Sequence, residues 1–230
     1  MAKSGIAPLE KVSFYSNGTI KEKKYHLNGK LTGEYISYFD NGQIMAHLNF
    51  TGGKKNGPAE TYYKDGQIRE KTNFIDDKMD GLYISYYEHG QIREQENYKD
   101  GKLDGHYQIF HKTGQIKEEE NYKMGKLDGA YICYYKSGQI KEKGFFSNDK
   151  REGYYIAYFK SGKVKEKAVF KNGNLAGKFM AYNENGSATT ITTDDDNADQ
   201  PSPPWEEKDV GDLLRNLENF DKKTKPQSRE

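Results

Sequence analysis

The chain has 230 residues, of which 33% are hydrophobic and 31% charged, with a formal net charge of +1. That composition is too lean in aliphatics for a thick globular interior and too neutral for a nucleic-acid-binding surface. The charge divides unevenly: residues 187–230 hold eleven acids and six bases, a net of −5, which leaves a modest +6 for residues 1–186.

Residues 1–11 form a short lead. Met1 to Pro8 contains no apolar signal region, and no later stretch approaches the roughly 20 apolar residues of a membrane span, so the reading is a cytoplasmic protein. From residue 12 to residue 188 the chain is periodic. Gly18, Gly42, Gly66, Gly90, Gly114, Gly138, Gly162 and Gly186 recur every 24 residues, and Gly33, Gly57, Gly81, Gly105, Gly129, Gly153 and Gly177 keep the same period. A fixed period of this length means stacked supersecondary units, here about seven of them.

Within the unit that starts at Gly81, Leu82 to Tyr87 is aromatic and β-branched and reads as an outgoing strand. His89-Gly90 turns the chain, and Gln91 to Tyr98 returns as a second strand. Asn17-Gly18, Asn41-Gly42 and Asp65-Gly66 occupy the equivalent turn and suit the positive φ angles of a tight hairpin. The second connection, Lys99 to Asp104, reads as the longer one. Chained together, the units predict an all-β, elongated antiparallel hairpin meander.

Strict alternation along the returning strand sets Ile92, Glu94, Glu96 and Tyr98 on one face and Gln91, Arg93, Gln95 and Asn97 on the other. It therefore separates a basic column (Lys21, Arg69, Arg93, Lys117, Lys141, Lys165) from an acidic one (Glu22, Glu70, Glu94, Glu118, Glu142, Glu166). Identical carboxylates in six units argue for a structural task, a hydrogen bond to a neighbouring Tyr hydroxyl, and against catalysis. On the outgoing strand, Tyr35, Tyr83, Tyr107, Tyr131 and Tyr155 form a column three residues before Tyr38, Tyr62, Tyr86, Phe110, Tyr134 and Tyr158. The two columns point to opposite faces. The first is the candidate partner-binding surface, and the basic column is the candidate site for anionic lipid.

No metal or cofactor site is expected. The histidines His26, His47, His89, His106 and His111 occupy five different positions in the repeat and lack ligand spacing. Cys133 lies in a column otherwise filled by Ser37, Thr61, Ser85, Ile109, Ala157 and Ala181, and reads as a small core-facing side chain. Unit two departs from the pattern, with Met45, Ala46, His47 and Leu48 in place of the usual polar run and a proline, Pro58, at the start of a strand.

The string aromatic-aromatic-x-x-Gly-Gln-Ile-(Lys/Arg)-Glu, present at Tyr62–Glu70, Tyr86–Glu94 and Tyr134–Glu142, resembles the MORN-repeat variant of YwqK-type proteins. The resemblance covers about residues 12–186. It implies a β-hairpin meander with a role in binding, and suggests an antitoxin-like function. MORN proteins more broadly imply membrane attachment or scaffolding.

Beyond Ala188 the alternation ends, and residues 189–208 read as an acidic, proline-bearing linker. Residues 209–221 then predict a short amphipathic helix, capped by Asp209, with Leu213, Leu214, Leu217 and Phe220 on its apolar stripe. Together with Trp205 these residues are candidate contacts, either for the array's own end or for a partner's groove. Residues 222–230 form a basic tail. The whole reads as a non-catalytic module that binds a protein partner, with a lipid-binding scaffold as the alternative.

Overall fold

The computed structural model describes residues 7–177 and 179–191. Among them are nineteen strands and no helix. Each strand pairs antiparallel with its neighbour in sequence, from Leu9–Phe14 to Ala188–Ile191, so the units form one continuous meandering sheet. The returning strands are Ile20–Leu27, Ile44–Thr51, Ile68–Ile75, Ile92–Lys99, Ile116–Lys123, Ile140–Ser147 and Val164–Lys171. Five outgoing strands are unbroken (Leu9–Phe14, Lys30–Tyr38, Lys54–Tyr62, Lys102–Phe110 and Lys126–Tyr134) and three are interrupted, as between Lys78–Met79 and Gly81–Tyr86. Ala188–Ile191 pairs with Phe179–Tyr182, so the first residues assigned to the linker are strand instead. Trp205, Leu213, Leu214, Leu217, Phe220 and the helix expected over 209–221 lie outside the described residues.

The two connections have the reverse of the expected geometry. Asp100 and Gly101 both have positive φ (51° and 78°), the signature of a two-residue type I′ turn, so the second connection is the tight one. At the first connection only Gly90 of its loop is left-handed, at φ 84°, and Tyr87 N–H reaches the Gln91 carbonyl at 2.8 Å. That is a three-residue loop closed by a glycine bulge. The polar residue before the glycine has a different job from the expected one: Asn41 accepts the Gln43 N–H on its side chain at 3.1 Å and donates to the Lys64 carbonyl of the next unit at 3.1 Å.

Contacts between neighbouring units stitch both edges of the sheet. Beside the glycine loops, the hydroxyls of Tyr15, Tyr63, Tyr87 and Tyr135 donate to the carbonyls of Tyr38, Tyr86, Phe110 and Tyr158, at 2.6–2.8 Å. At the opposite edge, Asp77 and Asp149 stand where other units have glycine. Their carboxylates accept the N–H groups of Lys55 and Leu127 at 2.8 Å, which explains a left-handed aspartate there. Tyr87→Phe removes one clasp and leaves the Phe110 carbonyl without this donor. It should destabilise the array by about 1 kcal/mol, read as a lower denaturant midpoint.

The interior is thin. Its buried apolar residues among those described are Ala59, Ile132, Ile156, Ala157 and Ala168, four of the five lying between residues 132 and 168. Lys143 is buried among them at 2% exposure, opposite Ile132 and Ile156, with its ammonium 5.8 Å from the centre of the Tyr158 ring. Burial pushes its pKa down, so the charged form opposes folding and this penalty fades as pH rises. Lys143→Met fills the same volume without that penalty, and its melting midpoint at neutral pH should exceed that of the parent protein. Pro58 fits because Asn49 alone faces the three residues Asn56, Gly57 and Pro58, where no ladder donor is required. The Asn49 side chain instead donates to the Pro58 carbonyl at 2.9 Å.

Candidate functional site

Each unit carries a β-bulge at the position of the basic column, which Met45 fills in one unit. Ser85 pairs with Glu94, but the next residue, Tyr86, pairs with Ile92, so Arg93 is the extra residue. The same skip passes over Lys21, Met45, Arg69, Lys117, Lys141 and Lys165. Because two residues then oppose one, alternation reverses at that point. The expected separation of charges is therefore overturned: acids and bases share a face. Arg93 bonds Glu94 at 3.1 Å and Ser85 at 3.2 Å, Arg69 lies 3.4 Å from Glu70, and Lys165 lies 3.1 Å from Glu166. Lys21 rests over the Tyr15 ring instead, at 5.9 Å. The bulge also moves the Ile column to the opposite face, where Ile92 pairs with Tyr86.

Tyr35, Tyr83, Tyr107, Tyr131 and Tyr155 lie on the acidic face and Tyr86 on the other, as alternation on the outgoing strand requires. Each member of the first column is half-buried and meets an aromatic ring fifteen residues later. The pairs Tyr35–Phe50, Tyr83–Tyr98, Tyr107–Tyr122, Tyr131–Phe146 and Tyr155–Phe170 are edge-to-face, with centroids 5.7–6.2 Å apart. The acidic column does accept tyrosine hydroxyls: Tyr35 donates to Glu22 at 3.1 Å, and Glu142 accepts both Tyr131 (3.1 Å) and Tyr155 (2.7 Å). In other units Thr61 and Ser85 take that place, donating to Glu70 and Glu94. Burial pushes the Tyr107, Tyr131 and Tyr155 phenols well above their usual range, with neighbouring carboxylates adding to the effect.

One inner position of this stripe breaks the repeat. Its occupants are Lys24, Leu48, Thr72, Glu96, Glu120, Gly144 and Ala168 in successive units. Glu96 is 8% exposed and accepts the Tyr98 hydroxyl; Glu120 accepts the Tyr122 hydroxyl at 2.6 Å. Desolvation pushes both carboxyls above the usual carboxylate range, and the nearby Glu94 and Glu118 push the same way. Among the described residues neither carboxylate has an ion-pair partner within 4 Å, whereas Lys24 at the equivalent position bonds Glu22. Sequence reasoning that tracked repeated columns passed over these two glutamates. The signal was the column's lack of repetition.

In the unit after Glu120, Gly144 leaves a shallow notch of about 10 Å³ bordered by Tyr131, Phe146, Arg151, Tyr155 and Phe170. The Arg151 guanidinium lies over the Tyr155 and Phe170 rings, at 4.7 and 5.2 Å from their centres. Lys55, the equivalent residue in another unit, stands over Phe74 at 4.9 Å. The stripe thus takes cations on its aromatic faces from within the chain. Cys133 is half-buried in the same stripe, and burial pushes its thiol up. No cluster of three metal-ligating side chains occurs among the described residues, and no described helix is long and apolar enough to cross a membrane.

A family model described as MORN repeat variant matches residues 31–51, 55–76, 79–100, 103–124, 127–148 and 151–172, more than half of the chain. No curated protein matches. Among solved structures, a chain from the crystal structure of a GtfA/B complex bound to UDP and GlcNAc is similar at 12% identity, with a TM-score of 0.22. The match covers 61% of this chain but only 25% of that one.

Proposed function

Because the chain belongs to the MORN repeat variant family, a set of repeat modules that bind proteins or membranes, we propose that it is a non-catalytic protein-binding module working through its tyrosine and glutamate stripe. One observation carries this reading. The sheet is a single layer, so the aromatic face from Tyr83 to Tyr155 is left half-buried, with nothing among the described residues laid across it. Aromatic side chains with polar tips, held rigid by edge-to-face pairs, are the residues that anchor protein interfaces. Neutralisation of a partner in an antitoxin-like manner, within the cytoplasm, is the specific form that the resemblance to YwqK-type proteins supports.

The lipid alternative draws less support, because three of the six basic residues are paired with the adjacent glutamate and the stripe carries both signs. The test is affinity capture from a native extract with the full chain, Tyr107→Ala and Tyr86→Ala. These variants truncate rings on opposite faces of the sheet. Retention of a protein by the parent and by Tyr86→Ala, with loss in Tyr107→Ala, is the expected result. Retention that ignores both changes, or binding only to phosphatidylserine vesicles with loss in an Arg69/Arg93 double variant, would overturn it.

A further inference from the structure

If the stripe binds a protein, as proposed above, its repeat spacing narrows the kind of partner it can take. Glu96 and Glu120 stand on strands two apart, roughly 9.6 Å from each other at about 4.8 Å per strand. Each lies beside its own edge-to-face tyrosine pair, Tyr83–Tyr98 and Tyr107–Tyr122. A partner running across the strands must therefore present matching groups at that interval. A polyproline II segment advances ~3.1 Å per residue with three residues per turn, so every third side chain faces the same way at about 9.3 Å. An ordinary extended strand alternates sides and misses that interval.

Charge decides what those side chains carry. Two carboxylates without ion-pair partners, Glu96 buried and Glu120 half-buried, are costly to keep unless something neutralises them. The chain's own Arg151 and Lys55 show that the aromatic rows of this stripe seat guanidinium and ammonium groups. Beside the Tyr83–Tyr98 and Tyr107–Tyr122 pairs the matching position is held by Met79 and Leu103, so the cation is not supplied from within.

We propose that the Glu96–Glu120 section of the stripe docks a polyproline II segment of a partner protein bearing Arg or Lys at every third residue. Each basic side chain lies against a tyrosine pair and ends on one carboxylate, while the prolines between them rest on the rings. Arginine is favoured, since its planar group stacks on an aromatic face and meets a carboxylate at once.

The test titrates the full-length protein against a labelled peptide of four Arg-Pro-Pro triplets, read by fluorescence anisotropy. Two control peptides keep the four arginines but place them at every second or every fourth residue, with proline at the positions between. The triplet peptide should bind at least about tenfold more tightly than either respaced peptide, and Glu96→Gln/Glu120→Gln should weaken it by a similar factor. Glutamine still accepts the tyrosine hydroxyls and removes the cost of the buried charge, so the variant melts no lower than the parent, and Glu88→Gln, which removes an exposed acid from a turn, should leave binding unchanged. Equal binding of all three peptides, or equal loss in Glu88→Gln, overturns the proposal in favour of diffuse charge attraction. Spermine binding with the same Glu96/Glu120 dependence also overturns it, as does self-association of the chain that the double variant abolishes. If the peptides fail while Tyr107→Ala still loses a captured protein, this inference falls and the binding reading stands.

Discussion

Gly129→Ala should cost about 3 kcal/mol, whereas the equivalent change Gly81→Ala should cost about 1 kcal/mol, although the two glycines hold the same place in their units. Both have positive φ, 132° at Gly129 and 98° at Gly81, so each substitution carries backbone strain. They differ in what a new Cβ would meet. At Gly129 it would lie 2.9 Å from the Asn121 Cβ; at Gly81 nothing lies within 4 Å. Asn121 cannot step aside freely, because its side chain donates to the Ala130 carbonyl at 3.1 Å across the bulge that contains Gly129. Relief of the clash therefore breaks that bond or opens the local pairing.

The consequence is spatially confined. In a repeat array stability is close to a sum of unit and neighbour contributions, so one bad junction weakens its own surroundings first. Amide exchange should accelerate across the Glu118–Cys133 and Glu142–Cys133 pairings in Gly129→Ala, while the Glu22–Ser37 pairing at the far end stays protected. A uniform loss of protection along the whole sheet would show that the array unfolds as one cooperative body.

The meander, its period and its tyrosine faces were legible because they depend on properties repeated seven times over: glycine punctuation, β-branched and aromatic runs, alternation by two. What alternation could not reveal was the interruption of alternation. A bulge leaves no mark in a hydropathy pattern, and here the extra residue, Arg93 or Lys165, is as hydrophilic as a regular solvent-facing residue would be. Its effect was to bring the basic and acidic columns onto one face and to carry the Ile column across the sheet. The turn assignment failed for a related reason. Asn41-Gly42 has the composition of a two-residue hairpin, but the asparagine serves through its side chain, while Asp100-Gly101 and even Met124-Gly125 adopt the paired left-handed geometry. The Tyr15, Tyr63, Tyr87 and Tyr135 clasps were visible as the second aromatic of the recurring pair. Their acceptor is a backbone carbonyl 23 residues away, which only the stacked register places within reach.

Alkaline pH should dismantle this sheet more sharply than acid. Burial pushes the phenols of Tyr98, Tyr107, Tyr122, Tyr131 and Tyr155 up in the folded chain, with hydroxyl bonds to Glu96, Glu120 and Glu142 reinforcing the shift at four of them, and Tyr62 is pushed up to about 12. In the unfolded chain a phenol titrates near about 10. The folded state thus holds its protons after the unfolded state has begun to lose them. The stability these groups confer is fully present below about pH 10 and falls as pH rises through the higher folded values. Several tyrosines titrate in the same window, so their contributions compound. The 295 nm phenolate absorbance should rise together with loss of the β-sheet circular dichroism signal, and Tyr107→Phe should move that joint transition to higher pH. Glu96 and Glu120 also have raised folded values, so the penalty they impose at neutral pH is relieved as they take up protons on mild acidification, and they oppose acid unfolding instead of driving it. A phenol titration that completes near pH 10 with the sheet signal intact would mean that the hydroxyls are open to solvent and that the tyrosine stripe does not hold the sheet together.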